Sequence, residues 1–294
     1  MAKKFGNILL RRYALKRAIA YGLPRELITP SEFLVSGRYP DVNSSRVSDA
    51  AETVRKRIAV SRNEPIGIFY SPKPASPSSS GARQRGAELF FSPERVAQTG
   101  KNRRWGSFLF LCAREFEART VVELGTCAGI SAYYIGSAAP VQLLVTVEGS
   151  AALTEVARET LKPFGDKVEI HNMLFEDALR DRVSRLSSVD FLFIDGHHEK
   201  EATISYFHSV KERLRPGACV IFDDISWSAD MRECWEEILG VPGFSCCVDF
   251  GTLGVCVWDG SSTQGLAFDL RRISGSKKVG RPHGWEYQEG QLVN

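Results

Sequence analysis

Residues 121–131, VVELGTCAGIS, decide the fold when read together with VTVEGS at 145–150. An apolar run carries an acid, Glu123, then passes through glycines into residues that suit a helix. That is a strand, a tight turn and a helix start. The second stretch is another buried strand ending in an acid, Glu148, one strand–helix–strand unit later. In open parallel sheets such an arrangement binds a nucleoside: glycines let the backbone approach the ligand, and the acid takes the ribose hydroxyls. A dinucleotide fingerprint, G-x-G-x-x-G, seats a pyrophosphate on the turn. Here Gly125 and Gly129 are separated by Thr126, Cys127 and Ala128, so the middle glycine is missing. Glu123 adds negative charge where a pyrophosphate would be repelled. A cationic nucleoside suits the turn better, and S-adenosylmethionine is one: it carries an amino group and a sulfonium, and no phosphate.

Working outward, strands and helices alternate. Strands are expected at 120–124, 142–147, 167–171, 189–194 and 218–222, with helices at 103–117, 129–138, 151–162, 175–184, 199–214 and 228–239. Two β-rich runs close the pattern, 244–250 and 253–258, joined by Gly251-Thr252 as an antiparallel pair. This is an α/β class with a doubly wound, mostly parallel seven-stranded sheet. Residues 1–87 form a helical, basic N-terminal extension, in which 72–86, rich in Pro, Ser and Gly, reads as a linker. The nucleoside-binding domain covers 88–260, and 261–294 reads as a polar tail.

Composition narrows the classes. The apolar fraction, 43%, is enough for a sizeable core. The net charge of +3 is too small to imply nucleic acid. It is unevenly placed: Lys3, Lys4, Arg11, Arg12, Lys16 and Arg17 precede the first acid, and without them the chain is net −3. Seven scattered cysteines, odd in number and without C-x-x-C, favour free thiols in a reducing cytoplasm. No apolar run reaches the ~20 residues that cross a bilayer, and no export signal is read. On a helical projection of 5–19, Phe5, Ile8, Leu9, Tyr13 and Ile19 cluster, but Arg12 and Lys16 fall inside the same arc. A membrane-surface helix keeps its basic residues at the flanks, so a homo-oligomer or lid contact is the preferred use of this segment.

The order of elements around VVELGTCAGIS resembles the class I S-adenosylmethionine-dependent methyltransferases, over roughly 88–260. Within them, VDFLFIDGHHEKEATISYFHSVKERLRPGACVIFDDISW at 189–227 is most similar to the metal-dependent O-methyltransferases of the catechol, caffeoyl-CoA and macrocin type. The resemblance implies a divalent cation, Mg²⁺ by preference, on the acid ending the fourth strand and the acid pair ending the fifth: Asp195, Asp223 and Asp224. The run HNMLFEDAL at 171–179 resembles the segment passing the adenine in sugar-modifying members, which puts Phe175 and Asp177 beside that base. Elementary geometry agrees on the acids. Paired neighbouring strands lie ~4.8 Å apart, so carboxylates at their ends converge, and an all-oxygen set suits a hard cation. Such acids equally serve as helix caps or turn residues.

His198, three residues after Asp195 and entering a helix, is the candidate general base, with Asp195 beside it. His197 is its competitor, and His208 is expected to be solvated. Thr126 and Ser131 are candidates for the methionine carboxylate, alongside Glu123, Gly125, Gly129 and Glu148 for the cofactor as a whole. Arg103, Arg104 and Trp105 open the helix before the first strand as cofactor contacts or a plain helix end, and Trp227 is a pocket aromatic or core. The implied activity is methyl transfer to a hydroxyl of a small molecule or sugar. Metal-independent transfer, a nicotinamide-dependent oxidoreductase and a non-catalytic nucleoside-binding module are the alternatives.

Overall fold

The runs flanking the glycine turn become the centre of an eight-stranded sheet in the computed structural model, which describes residues 2–61, 64–69, 88–262 and 265–275. Three helices come first: α1 (Ala2–Ala20), α2 (Ile28–Ser36) and α3 (Val42–Ala59). Strands β1 (Ile66–Phe69) and β2 (Glu88–Phe91) pair antiparallel as a small separate sheet. The expected linker at 72–86 lies outside the described residues. Helices α4 (Pro93–Thr99) and α5 (Arg103–Glu115) lead into the alternating part. That part runs β3 (Thr120–Leu124), α6 (Ile130–Gly136), β4 (Leu143–Glu148), α7 (Ala151–Leu161), β5 (Val168–Asn172), α8 (Phe175–Asp181), β6 (Val189–Ile194), α9 (Lys200–Val210), β7 (Leu214–Phe222), α10 (Ala229–Leu239), β8 (Phe244–Asp249) and β9 (Gly254–Trp258). β10 (Leu266–Asp269) and α11 (Arg271–Ser274) end the described chain.

The sheet order is β10-β8-β9-β7-β6-β3-β4-β5. Among the described residues of this sheet only β9 runs antiparallel, inserted between β7 and β8. The seven-stranded expectation is therefore corrected to eight. The extra strand, β10, pairs in parallel with β8 and comes from the segment read as tail. Four residues between polar and glycine-rich flanks give too short a pattern to separate from a loop. A second correction concerns β7, which begins at Leu214 and not at 218, while α9 stops at Val210. Pro216 and Gly217 are uncommon inside strands, but β7 accommodates both where its pairing with β6 shifts register between Val189 and Phe191.

Period-2 alternation sorts the strand residues to two faces. Val121, Leu144, Phe191, Phe193, Cys219 and Ile221 face one apolar layer, and Val122, Leu124, Val145, Leu192, Val220 and Phe222 face the other. α8, α9 and α10 cover the second layer. The first is covered by α5, α6 and α7, and the N-terminal helices are continuous with it: Ala14, Leu27, Phe33, Leu34, Ala51 and Ile58 are buried in the same cluster. α1 turns Ala14, Leu15 and Ala18 inward, leaving Leu9 and Tyr13 exposed. Of the face that sequence periodicity selected, Leu9, Tyr13 and Ile19 thus point outward, since small alanines allow closer helix approach than Leu9 or Tyr13 would. Among the described residues no helix is long and apolar enough to cross a membrane.

Candidate active site

β3 and β6 are neighbours whose next connections run to opposite sides of the sheet. Their carboxyl ends open the crevice where ligands bind in such folds. Gly125 follows β3 with φ +108°, and a Cβ there would lie 1.9 Å from the Asp195 carbonyl oxygen. Only glycine lets the two strand ends meet. Gly129, at φ 82°, starts α6. The turn between them hangs from β4: the N–H groups of Gly125 and Thr126 both donate to the Val147 carbonyl, at 3.0 and 3.1 Å.

Glu148 sits at the end of β4 beside this turn. Its Oε2 accepts the Cys127 N–H at 2.8 Å and its Oε1 the Ser150 N–H at 2.9 Å. Burial raises its pKa, and these backbone donors oppose the rise. Glu123 is fully buried. It accepts the Thr146 hydroxyl at 2.5 Å, and Thr146 shares a 2.6 Å hydrogen bond with Thr126. Burial pushes the Glu123 carboxyl up to about 7, against the hydroxyls of Thr146 and Ser131. The fixed negative charge expected there is thus a titrating group. Ser131 is buried on the first turn of α6.

Asp195 and Asp223 end the paired strands β6 and β7, and Asp224 follows. One ligand atom each from Asp195, His198 and Asp223 lie within 4.8 Å of one another. His198 Nε2 is 3.9 Å from Asp195 Oδ1 and 3.8 Å from Asp224 Oδ2. The expectation that a helical turn brings His198 there is corrected: α9 starts only at Lys200, and His197 and His198 occupy left-handed backbone at φ 62° and 47°. Asp224 (50°) and Cys127 (48°) share that conformation, so four of the five non-glycine residues with positive φ among the described residues line this edge. Such strain gathers at functional sites. Asp223 is 2% exposed and its Oδ1 has no partner.

Sequence reasoning missed Lys101. It precedes α5, yet its Nζ bonds Asp223 Oδ2 and lies 3.4 Å from Asp195 Oδ2. Burial would lower the pKa of this ammonium, but Asp195, Asp223 and Asp224 together hold it above its ordinary value. Burial likewise pushes Asp195 well up, and the neighbouring Asp223 charge adds to the push. Burial is the largest influence on Asp223 and opposes its ionisation, but Lys101, the Asp195 hydrogen bond and His198 together hold that carboxyl low. Asp224 is raised by burial and by Asp223. No spacing rule signals a partner 122 residues away.

Other candidates divide. His197 turns from the acids: its Nδ1 lies 2.7 Å from the Tyr206 hydroxyl, and its ring packs on Phe175. Phe175 is buried beneath Gly196, where a Cβ would meet its ring at 2.3 Å. Asp177 pairs with Arg180 on an exposed helix surface. His208 is exposed. Trp227 is 68% exposed, its ring 6.2 Å from that of His198. Arg103 and Arg104 reach the N-terminal helices and α11: Arg103 bonds Asp49 at 2.6 Å, and Arg104 the carbonyls of Leu34 and Ser274.

Residues 122–225 match the family model of a methyltransferase domain. The chain is 34% identical over 125 residues to a catechol O-methyltransferase of Mycobacterium tuberculosis, covering 41% of this chain and 54% of that protein. It is 30% identical over 124 residues to one from Niastella koreensis, covering 41% and 55%. The chain thus spans about half the length of the curated relatives it matches. Among solved structures, the O-methyltransferase from Bacillus cereus in complex with SAH aligns over 56% of this chain and 90% of its own, at 24% identity and a TM-score of 0.48. The O-methyltransferase TomG of Streptomyces achromogenes, in complex with SAM, aligns over 55% and 82%, at 25% identity and a TM-score of 0.47. The part of the chain that carries the glycine turn, Glu148, His198 and the strand-end acids is thus similar to a methyltransferase domain, and the sheet around it is parallel except for β9, inserted between β7 and β8.

Proposed function

We propose that the protein transfers a methyl group from S-adenosylmethionine to a hydroxyl of a small molecule or sugar. One observation carries the reading: the glycine turn with Glu148, and His198 with its acids, converge on one sheet edge at the β3–β6 crevice. Glu148 accepts backbone N–H groups on both oxygens, and a carboxylate's four lone-pair sites leave capacity for a ribose hydroxyl. Thr126 and Ser131 are assigned to the methionine end, and Phe175 and Asp177 to the adenine, for which Asp177 must release Arg180. In the transfer, the acceptor oxygen forms the O–CH₃ bond in line as the S–CH₃ bond breaks, its electron pair passing to sulfur. His198 accepts the hydroxyl proton. Asp195 and Asp224, each within 4 Å, favour the resulting imidazolium.

The finer expectation of a divalent cation belongs to this reading as a proposal. Asp195, Asp223 and Asp224 would hold it, Mg²⁺ by donor type, and the unpartnered Asp223 Oδ1 supports such a site. When bound, the cation would acidify the acceptor hydroxyl. Lys101 favours a second reading, metal-independent transfer, because an ammonium already lies among those carboxylates. A reducing cytoplasm, from seven free cysteines, and self-association through the outward face of α1 complete the proposal.

Calorimetry with S-adenosylmethionine and S-adenosylhomocysteine tests the reading. Both should bind, and Glu148→Ala should weaken binding by about 1.5 kcal/mol or more, the cost of charge-assisted hydrogen bonds. No binding by the parent protein, or an unchanged affinity in the variant, rejects the cofactor assignment. Catechols are the first acceptors to try, given the two relatives' names.

A further inference from the structure

We propose that Lys101 is the built-in cation of the acidic site: its ammonium takes the charge-balancing place of a divalent metal, so methyl transfer runs without one. The proposal rests on the methyl-transfer reading above.

Placement comes first. The Lys101 side chain is only 12% exposed, bonded to Asp223 and 3.4 Å from Asp195. This is not a solvated surface lysine meeting an acid by chance. A lysine gives up much rotamer entropy when it is fixed, and the local structure repeatedly fastens the backbone that carries it. Arg55 of α3, itself 14% exposed and paired with Glu52 at 3.1 Å, donates to the Ala97 carbonyl at 2.6 Å and to the Lys101 carbonyl. Gly100 lies against Ile130, where an added Cβ would approach within 3.2 Å. Asn102 caps α5, accepting the N–H groups of Arg104 and Trp105 at 3.1 Å. The lysine is thus held from both chain neighbours and from the helix across the loop.

Charge balance comes second. The Asp223 carboxylate, 2% exposed, needs a counter-charge in this low-dielectric edge, and breaking a buried pair is strongly destabilising. Lys101 supplies it. A divalent ion on the same carboxylates would either meet this ammonium at a few ångströms, which is strongly repulsive away from bulk water, or expel it together with its pinned loop. An ammonium has three donors. Asp223 takes one and Asp195 stands near, leaving capacity to meet an acceptor oxygen as it loses its proton to His198.

Mn²⁺ binding to the full chain, read by electron paramagnetic resonance, tests this, with S-adenosylhomocysteine titrations run in parallel. Lys101→Gln should bind Mn²⁺ about tenfold tighter than the parent or better, since the carboxylates lose their resident charge. Lys101→Arg should behave like the parent. Equal Mn²⁺ affinities in the parent and Lys101→Gln, whether tight or undetectable, overturn the proposal. A second measurement needs no variant: amine labelling of Lys101 in the parent, mapped by mass spectrometry, should be slow and indifferent to millimolar Mg²⁺. Labelling accelerated by Mg²⁺ shows the lysine displaced by metal and overturns the proposal as well. Failure of the parent to bind S-adenosylhomocysteine would instead count against the methyl-transfer reading, whatever the Mn²⁺ result.

Discussion

Glu123 is an acid without water around it, and its titration should show in stability. Its pKa in the folded chain is about 7, against 4.5 for the free side chain. The folded state therefore binds more protons than the unfolded state between those values, and stability falls as pH rises through that window. The difference corresponds to on the order of 3 kcal/mol. Glu123→Gln removes the titration while keeping the shape. Thermal melts from about pH 5 to about pH 8 should decline less steeply in the variant than in the parent, and parallel curves would refute the raised pKa. His198 carries a different prediction. His198→Gln should leave S-adenosylhomocysteine affinity unchanged and cut turnover roughly 10²–10⁴-fold, the range for a lost general base. Turnover close to the parent's would make it a structural turn residue. The acids of the site were legible in sequence because each ends an apolar run, where the fold itself dictates the position. Lys101 was not: a lysine between a glycine and a helix cap looks like any surface lysine until tertiary structure folds it under the sheet edge.

At the scale of elements, the turns do more than connect strands. The segment after β3, the one after β6 and the one after β7 all adopt left-handed backbone, at Gly125 and Cys127, His197 and His198, and Asp224. In each the chain must bend sharply straight from a strand end, which aims side chains across the crevice. Sequence reasoning found the glycines, since glycine at such a turn has few other reasons to be there. It placed His198 at the entry to a helix, one helical turn after Asp195, because histidine carries no mark of positive φ. The expected strand also began four residues late, at 218 and not at Leu214, because Pro216 and Gly217 are uncommon inside strands. The sharpest prediction here concerns Gly125. Alanine would place a methyl 1.9 Å from the Asp195 carbonyl oxygen and would be strained at φ +108° in any case. β3 and β6 would have to separate at the site. Gly125→Ala should lose cofactor affinity by more than Glu148→Ala does, with a melting temperature several degrees lower, because large losses attend special backbone positions. A variant that melts and binds like the parent would mean that the two strand ends are not in contact.

On the scale of the whole molecule, the question is whether the first sixty residues are an appendage. Alternation made the central sheet readable, since strands buried on both faces and separated by amphipathic helices allow few other architectures. It did not show how the N-terminal helices join it, because helix-on-helix contacts leave no period in the sequence, and it missed β10, which is too short to carry one. The structure ties these helices in twice. Their apolar residues, Phe33, Leu34, Val54 and Ile58 among them, are buried in the same cluster as Trp105, Phe108 and Val121. Their polar groups meet the arginines of α5: Asp49 pairs with Arg103 and the Leu34 carbonyl with Arg104, while Arg55 holds the Lys101 loop. Burying one large apolar side chain contributes about 1.5–3 kcal/mol, so exposing a handful of partners exceeds the roughly 5–15 kcal/mol by which a domain is stable. A chain beginning after α3 should therefore melt without a cooperative transition and bind S-adenosylhomocysteine far more weakly than the parent, in calorimetry at matched concentrations. If it instead melts cooperatively within a few degrees of the parent and keeps its affinity, the helices are a separable module, and the apolar layer of α5 and α6 is stable without their cover.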